Sequence, residues 1–113
     1  MKRPTSIKIF GQKYKIKYTL EDKDAYGMTT SETNTIELRP DLPEDKLIRV
    51  FVHEITHAII FETPMSTRKR FDVEEVCDIV GYHVVDMLKE NPEIVQYILR
   101  EIEEEVEASG GPI

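Results

Sequence analysis

The segment His53-Glu54-Ile55-Thr56-His57 sets two imidazoles four residues apart with a carboxylate between them. In an α-helix four residues turn the chain by about 400°, so His53 and His57 share one face and both can reach a single ion. Glu54 follows His53 by about 100° and stands beside that ion, off its coordination sphere. A carboxylate placed there can accept a proton from a metal-activated water while leaving a coordination position open. The pattern is the donor set of a hydrolytic zinc centre, provided that the segment is helical.

The flanking residues ask for a helix. Leu47, Phe51, Ile55, Ala58 and Ile59 recur at helical spacing, with Val50, Val52 and Ile60 in addition. Pro43 suits a first turn, Glu44 and Asp45 complement the dipole, and Thr63-Pro64 ends the element. The spacing predicts a helix over 43–61, and its many apolar residues predict that it is largely buried. Unpaired imidazoles are costly in such surroundings, a cost that a shared zinc ion would relieve.

A catalytic zinc needs a third protein ligand. The next helical pattern, 72–89, has Val73, Val76, Ile79, Val80, Val84, Met87 and Leu88 as its apolar set and offers Glu74 and Glu75. Glu74, Asp78 and Gly81 fall within about 40° of one helical face, which favours Glu74 as the ligand over Glu75. Asp78 would then hold the outer nitrogen of His53 or His57, and Gly81 would let the two helices approach closely.

His53 to His57, followed by Glu74-Glu75-Val76-Cys77-Asp78-Ile79-Val80-Gly81, resembles the gluzincin type of zincin metallopeptidase, in which H-E-x-x-H precedes E-x-x-x-D on a second helix. The run Asn34 to Leu42 leading into Val52 to Ile59 is similar to the small ImmA/IrrE-like and SprT-like metallopeptidase domains of bacteria and phages. The likeness covers about residues 24–90. It implies one Zn2+ per chain on His53, His57 and Glu74, with Glu54 as general base and then proton donor. It also implies a peptide or protein substrate held on an edge strand. Without the extra domains of larger gluzincins, the expectation is a peptidase of narrow specificity. The alternative is a non-catalytic binding or regulatory module on the same fold, of the kind phages encode.

The rest of the chain must position this helix. Its 113 residues are the size of one domain, and 40% hydrophobic with 33% charged residues argues against disorder. Alternation predicts strands over 6–10 and 13–20 around a Gly11-Gln12 turn, then a shorter pair, 26–30 and 33–38, around Ser31-Glu32. Asn91-Pro92 opens a third helix to about Val106, with Ile94, Ile98 and Ile102 spaced by four. The expected fold is α+β, a small antiparallel or mixed sheet packed on three helices. It forms a minimal zincin-like domain over 1–107, with a flexible tail at 108–113.

The longest apolar run, Ala58 to Phe61, is far short of the roughly 20 residues that span a membrane. Met1-Lys2-Arg3-Pro4 is not followed by a signal-peptide pattern, and the single Cys77 fits a reducing cytoplasm. The net charge of −7 is concentrated in the glutamates of 90–107, expected as an exposed helix face. Lys8, Lys13, Lys15 and Lys17 give the opposite sign to the N-terminal strands. Lysines on the solvent face of a strand account for that, so nucleic acid is not expected as a partner. No feature specifies an oligomeric state. His83 lies half a turn from Glu74 and is expected on the surface or in packing. Cys77 is expected as a small buried hydrophobe, Tyr26 and Tyr82 as packing residues, and Arg68-Lys69-Arg70 as a solvated loop.

Overall fold

The alternation after Thr5 becomes a hairpin in which β1 (Ser6–Ile9) and β2 (Gln12–Lys17) run antiparallel, Ile7 opposite Tyr14. The computed structural model describes residues 3–22, 24–63 and 72–108. The hairpin turn is Phe10-Gly11, one residue earlier than the sequence suggested, with φ of 51° and 81°. Two successive positive φ angles give a turn whose twist suits a two-residue hairpin. Phe10 tolerates this uncommon conformation while its ring packs edge-on against His83, 5.3 Å between centroids.

The second pair is β3 (Gly27–Thr30) and β4 (Thr35–Leu38), antiparallel, with Gly27 opposite Leu38. β4 then lies beside β2 and parallel to it, Ile16 opposite Ile36. The result is a mixed four-stranded sheet in the order β1-β2-β4-β3. Ile7, Ile9, Tyr14, Ile16, Ile36 and Leu38 are buried from it. Lys8, Lys13, Lys15 and Lys17 are exposed.

Helix α1 (Glu44–Phe61) contributes Leu47, Phe51, Ile55, Ala58 and Ile59 to the same core. Burying each of the larger of these side chains contributes roughly 1.5–3 kcal/mol. The helix is not buried all round, as its composition suggested. Val52, His53, His57 and Phe61 are exposed, because among the described residues the sheet and the later helices leave that side of the cylinder to solvent.

The predicted second helix is a composite: α2 (Val73–Asp78), a π-helical turn over Ile79–Val84, and α3 (Val85–Glu90). A π turn adds a residue to the repeat, so a face counted at α-helical spacing does not continue through it. Ile79 and Met87 are buried as expected, whereas Val76 and Val80 are exposed. A Cβ added to Gly81 would meet nothing within 4 Å, so this glycine mediates no close helix approach. The last helix, α4 (Pro92–Ala108), buries Ile94 and Tyr97 and leaves Leu99, Ile102 and Val106 exposed. The basic loop at 68–70 and the tail beyond Ala108 lie outside the described residues. Among the described residues no helix is long and apolar enough to cross a membrane.

Asn91, between α3 and α4, is 2% exposed and binds β1 through its side chain. Its Oδ1 accepts the Lys8 N–H at 2.8 Å, and its Nδ2 donates to the Lys8 carbonyl at 2.6 Å and the Met87 carbonyl at 2.7 Å. The amide thus imitates one rung of a strand and caps an edge of the sheet. At the other end of the core, Tyr97 donates to Glu44 at 2.9 Å and Tyr18 to the Pro4 carbonyl at 2.6 Å.

Asn91→Ala strands the two Lys8 backbone groups and is expected to cost about 2 kcal/mol in urea unfolding. Burial raises the Tyr18 phenol to about 12, and burial with the neighbouring carboxylates Glu44 and Glu62 raises Tyr97 and Tyr14. An unfolded tyrosine loses its proton near pH 10 (~10). The folded state binds more protons above that pH, so this stability is complete below it and declines as pH rises through the folded values. The urea midpoint should therefore fall between about pH 10 and 12.

Candidate metal centre and its cleft

α1 and β3 meet at Gly27. A Cβ there would stand 2.9 Å from Val50 Cγ1 and 3.0 Å from Glu54 Cγ, so only glycine allows this approach. The contact leaves Glu54 5% exposed. The Thr29 hydroxyl is within 2.7 Å of Glu54 Oε1 and 3.1 Å of the Glu54 backbone carbonyl, and its one proton is shared between them. A buried carboxylate is costly to retain, and Thr29 fixes its direction while leaving Oε2 free of that bond.

His53 and His57 lie on the exposed side of α1, where their Nε2 atoms are 3.2 Å apart. Two nitrogens bound at 2.0–2.1 Å in tetrahedral geometry are roughly 3.3 Å apart, so this spacing fits a shared zinc ion. Glu54 Oε2 is 3.9 Å from His53 Nε2, close to that point without belonging to the pair. The His57 ring stacks on Phe61, 6.3 Å between centroids. The His53 side chain is 67% exposed, so the desolvation argument made from the sequence does not hold. The fit rests on the spacing of the two nitrogens.

Among the described residues no group of three or more His, Cys, Asp or Glu is placed to hold one metal ion. Glu74 and Asp78 are exposed on α2, and the structure does not gather them with the histidine pair. Glu75 is half-buried, and its N–H is taken by the cap residue Asp72 at 2.8 Å. Cys77 is exposed, not the buried hydrophobe that its helical position suggested, and Tyr82 is exposed as well. His83 is half-buried against Phe10 and takes no part.

An open cleft of about 370 Å³ runs beside the site, with Tyr26 and Gly27 on the sheet side and Lys46, Arg49, Val50, His53 and Glu54 on α1. Tyr26 is exposed instead of packed, with Lys46 Nζ 4.4 Å and Arg39 Cζ 5.4 Å from its ring centroid. Sequence reading missed Lys46 and Arg49 as cleft residues. The signal was present, since 46, 49, 53 and 57 recur at spacings of three and four. It missed Gly27 and Thr29 because nothing local shows which helix residue a strand will touch.

β3 is an edge strand. The Arg39 N–H donates to the Tyr26 carbonyl, which fixes the alternation and directs the Gly27 and Thr29 backbone groups away from β4. Comparison with protein-family models, with curated proteins and with solved structures finds no match to this chain.

Thr29→Val removes the one hydroxyl that holds the buried carboxylate and is expected to cost about 1–2 kcal/mol. The same substitution in a Glu54→Leu background should cost less, because no charge is then left unpaired. Urea unfolding of the four proteins in this cycle reads the difference directly.

Proposed function

We propose that this chain is a zinc-dependent metallopeptidase of narrow specificity, built as a minimal zincin-like domain. The observation that carries the reading is the His53 and His57 Nε2 pair at 3.2 Å beside a buried, Thr29-held Glu54. His53 and His57 hold one Zn2+ in the proposal, with Glu74 as third ligand, Glu75 as its alternative, and Asp78 as hydrogen-bond partner of a coordinated imidazole. The ion supplies Lewis acidity towards a peptide carbonyl and lowers the pKa of water towards neutrality.

Glu54 then does the proton work. Its free Oε2 faces the histidine side, so it can accept a proton from water and pass it to the leaving amine. Thr29 keeps that carboxylate aimed without adding a charge. The outward backbone groups of Gly27 and Thr29 suit pairing with an extended peptide, which would lay its carbonyls along the cleft beside Glu54. The substrate is accordingly a peptide or protein segment. The single cysteine, Cys77, is compatible with the reducing cytoplasmic setting of the proposal.

A second reading is favoured by the lack of a third ligand near the pair among the described residues. In that reading the domain binds a partner and cleaves nothing.

Elemental analysis of untagged protein should give close to one zinc per chain, lost on His57→Ala and strongly reduced on Glu74→Ala. Glu54→Gln should keep the zinc and lower peptide cleavage by at least about a hundredfold, the lower end of a general base's worth. Zinc retention with equal cleavage by wild type and Glu54→Gln would defeat the mechanism.

A further inference from the structure

The chain carries a net charge of −7, yet the rim of the cleft is positive. Lys46 and Arg49 line it, Arg39 Cζ is 5.4 Å from the Tyr26 ring centroid, and Glu54 is the one carboxylate among the lining residues. The Glu54 carboxylate is buried and already engaged by Thr29. Arg49 is exposed and has no ion pair among the described residues, Asp45 one turn before it included. Lys46 rests on the Tyr26 ring, which positions an ammonium group without neutralising it. Arg49 also borders a hollow with Asp45 and Glu101, but it is ion-paired to neither, so it and Lys46 are available to an anionic group in the cleft, and a guanidinium suits a carboxylate in particular.

We propose that the cleft selects peptides bearing a carboxylate, and that Lys46 and Arg49 are the residues that read it. The proposal rests on the metallopeptidase reading for its geometry and adds the substrate class. Along α1, Arg49 lies about 6 Å and Lys46 about 10 Å before His53, from the rise of 1.5 Å per residue (~1.5 Å). An extended peptide advances roughly 3.3 Å per residue, so the carboxylate sits about two to three residues from the bond beside the histidines. Lys46 and Arg49 are positioning and specificity residues; neither reaches the reacting atoms. The carboxylate can come from an internal Asp or Glu or from the end of a chain, and both present the same chemistry to the pair.

The test uses the full-length Glu54→Gln protein loaded with zinc and fluorescein-labelled decapeptides of one Ala/Ser sequence. One arm carries Glu two or three residues from the central bond with an amidated terminus. A second is truncated to end two or three residues after that bond, with Gln in place of Glu and a free terminal carboxylate, and a third carries Gln with an amidated terminus. Fluorescence anisotropy should show at least one carboxylate arm binding about tenfold more tightly than the third, a difference of about 1.4 kcal/mol. The stronger carboxylate arm identifies the source. Lys46→Glu/Arg49→Glu should abolish that preference, while Lys13→Glu/Lys15→Glu, with the same change in net charge on exposed strand positions, should leave it intact.

Equal binding of all three peptides, binding of none, or a preference that survives in Lys46→Glu/Arg49→Glu overturns the proposal. Loss of the preference in the strand-lysine variant as well also overturns it, since the effect would then be bulk charge. Cleavage by the wild-type protein is scored separately. Equal cleavage of the Glu and Gln peptides defeats the substrate class and leaves the peptidase reading standing. Selective binding of carboxylate peptides that are never cut supports the cationic rim and defeats the peptidase reading.

Discussion

The approach of β3 to α1 at Gly27 is the constraint on which the candidate site depends. It brings a strand within van der Waals contact of Val50 and Glu54, and it forces the Glu54 carboxylate out of water. Removing an ionised carboxylate from solvent costs several kcal/mol even after relaxation, against a typical total stability of about 5–15 kcal/mol. One hydroxyl bond from Thr29 offsets only part of that. Beside the carboxylate stand two imidazoles one helical turn apart, their Nε2 atoms 3.2 Å from each other.

The sheet assigns the two sides of the molecule different tasks. On the β1 edge, the Asn91 amide occupies the Lys8 backbone groups, and the Gly11 N–H donates to Glu90 at 3.0 Å. That edge is closed to further pairing. The β3 edge has no such side-chain cover among the described residues, and it is the edge that touches α1. The β3 edge runs beside Glu54 and the cleft that Lys46 and Arg49 line.

Much of the local structure was legible. The span 43–61 differs by one residue from the observed α1, because hydrophobic period, early acids and a following Pro all agree. The β1–β2 hairpin was readable from alternation, with the turn misplaced by one residue because Phe10 was not expected to adopt a positive φ. The second helical segment was the least legible. Its composition reads as one amphipathic helix, but a π turn at Ile79–Val84 shifts the register after Asp78, and Val76 and Val80 are in solvent. A face counted from Glu74 to Gly81 presumes a uniform α-helical repeat, and that presumption failed between Asp78 and Gly81.

The sequence by itself determined the elements and the identity of the chemical groups. Spacing of four on a helix puts His53 and His57 together whatever else the chain does, since backbone hydrogen bonding sets that geometry within one turn. Only the tertiary structure decided which groups are wet and which are dry. It left both histidines exposed, buried the glutamate between them, chose Thr29 as its partner and placed Lys46 and Arg49 along an open cleft. Those outcomes depend on which strand reaches which side of α1, a long-range packing choice that adds the parallel β2–β4 pairing to two local hairpins. Periodicity carries information about neighbours within a few residues, whereas burial is settled by segments that meet from far apart in the chain.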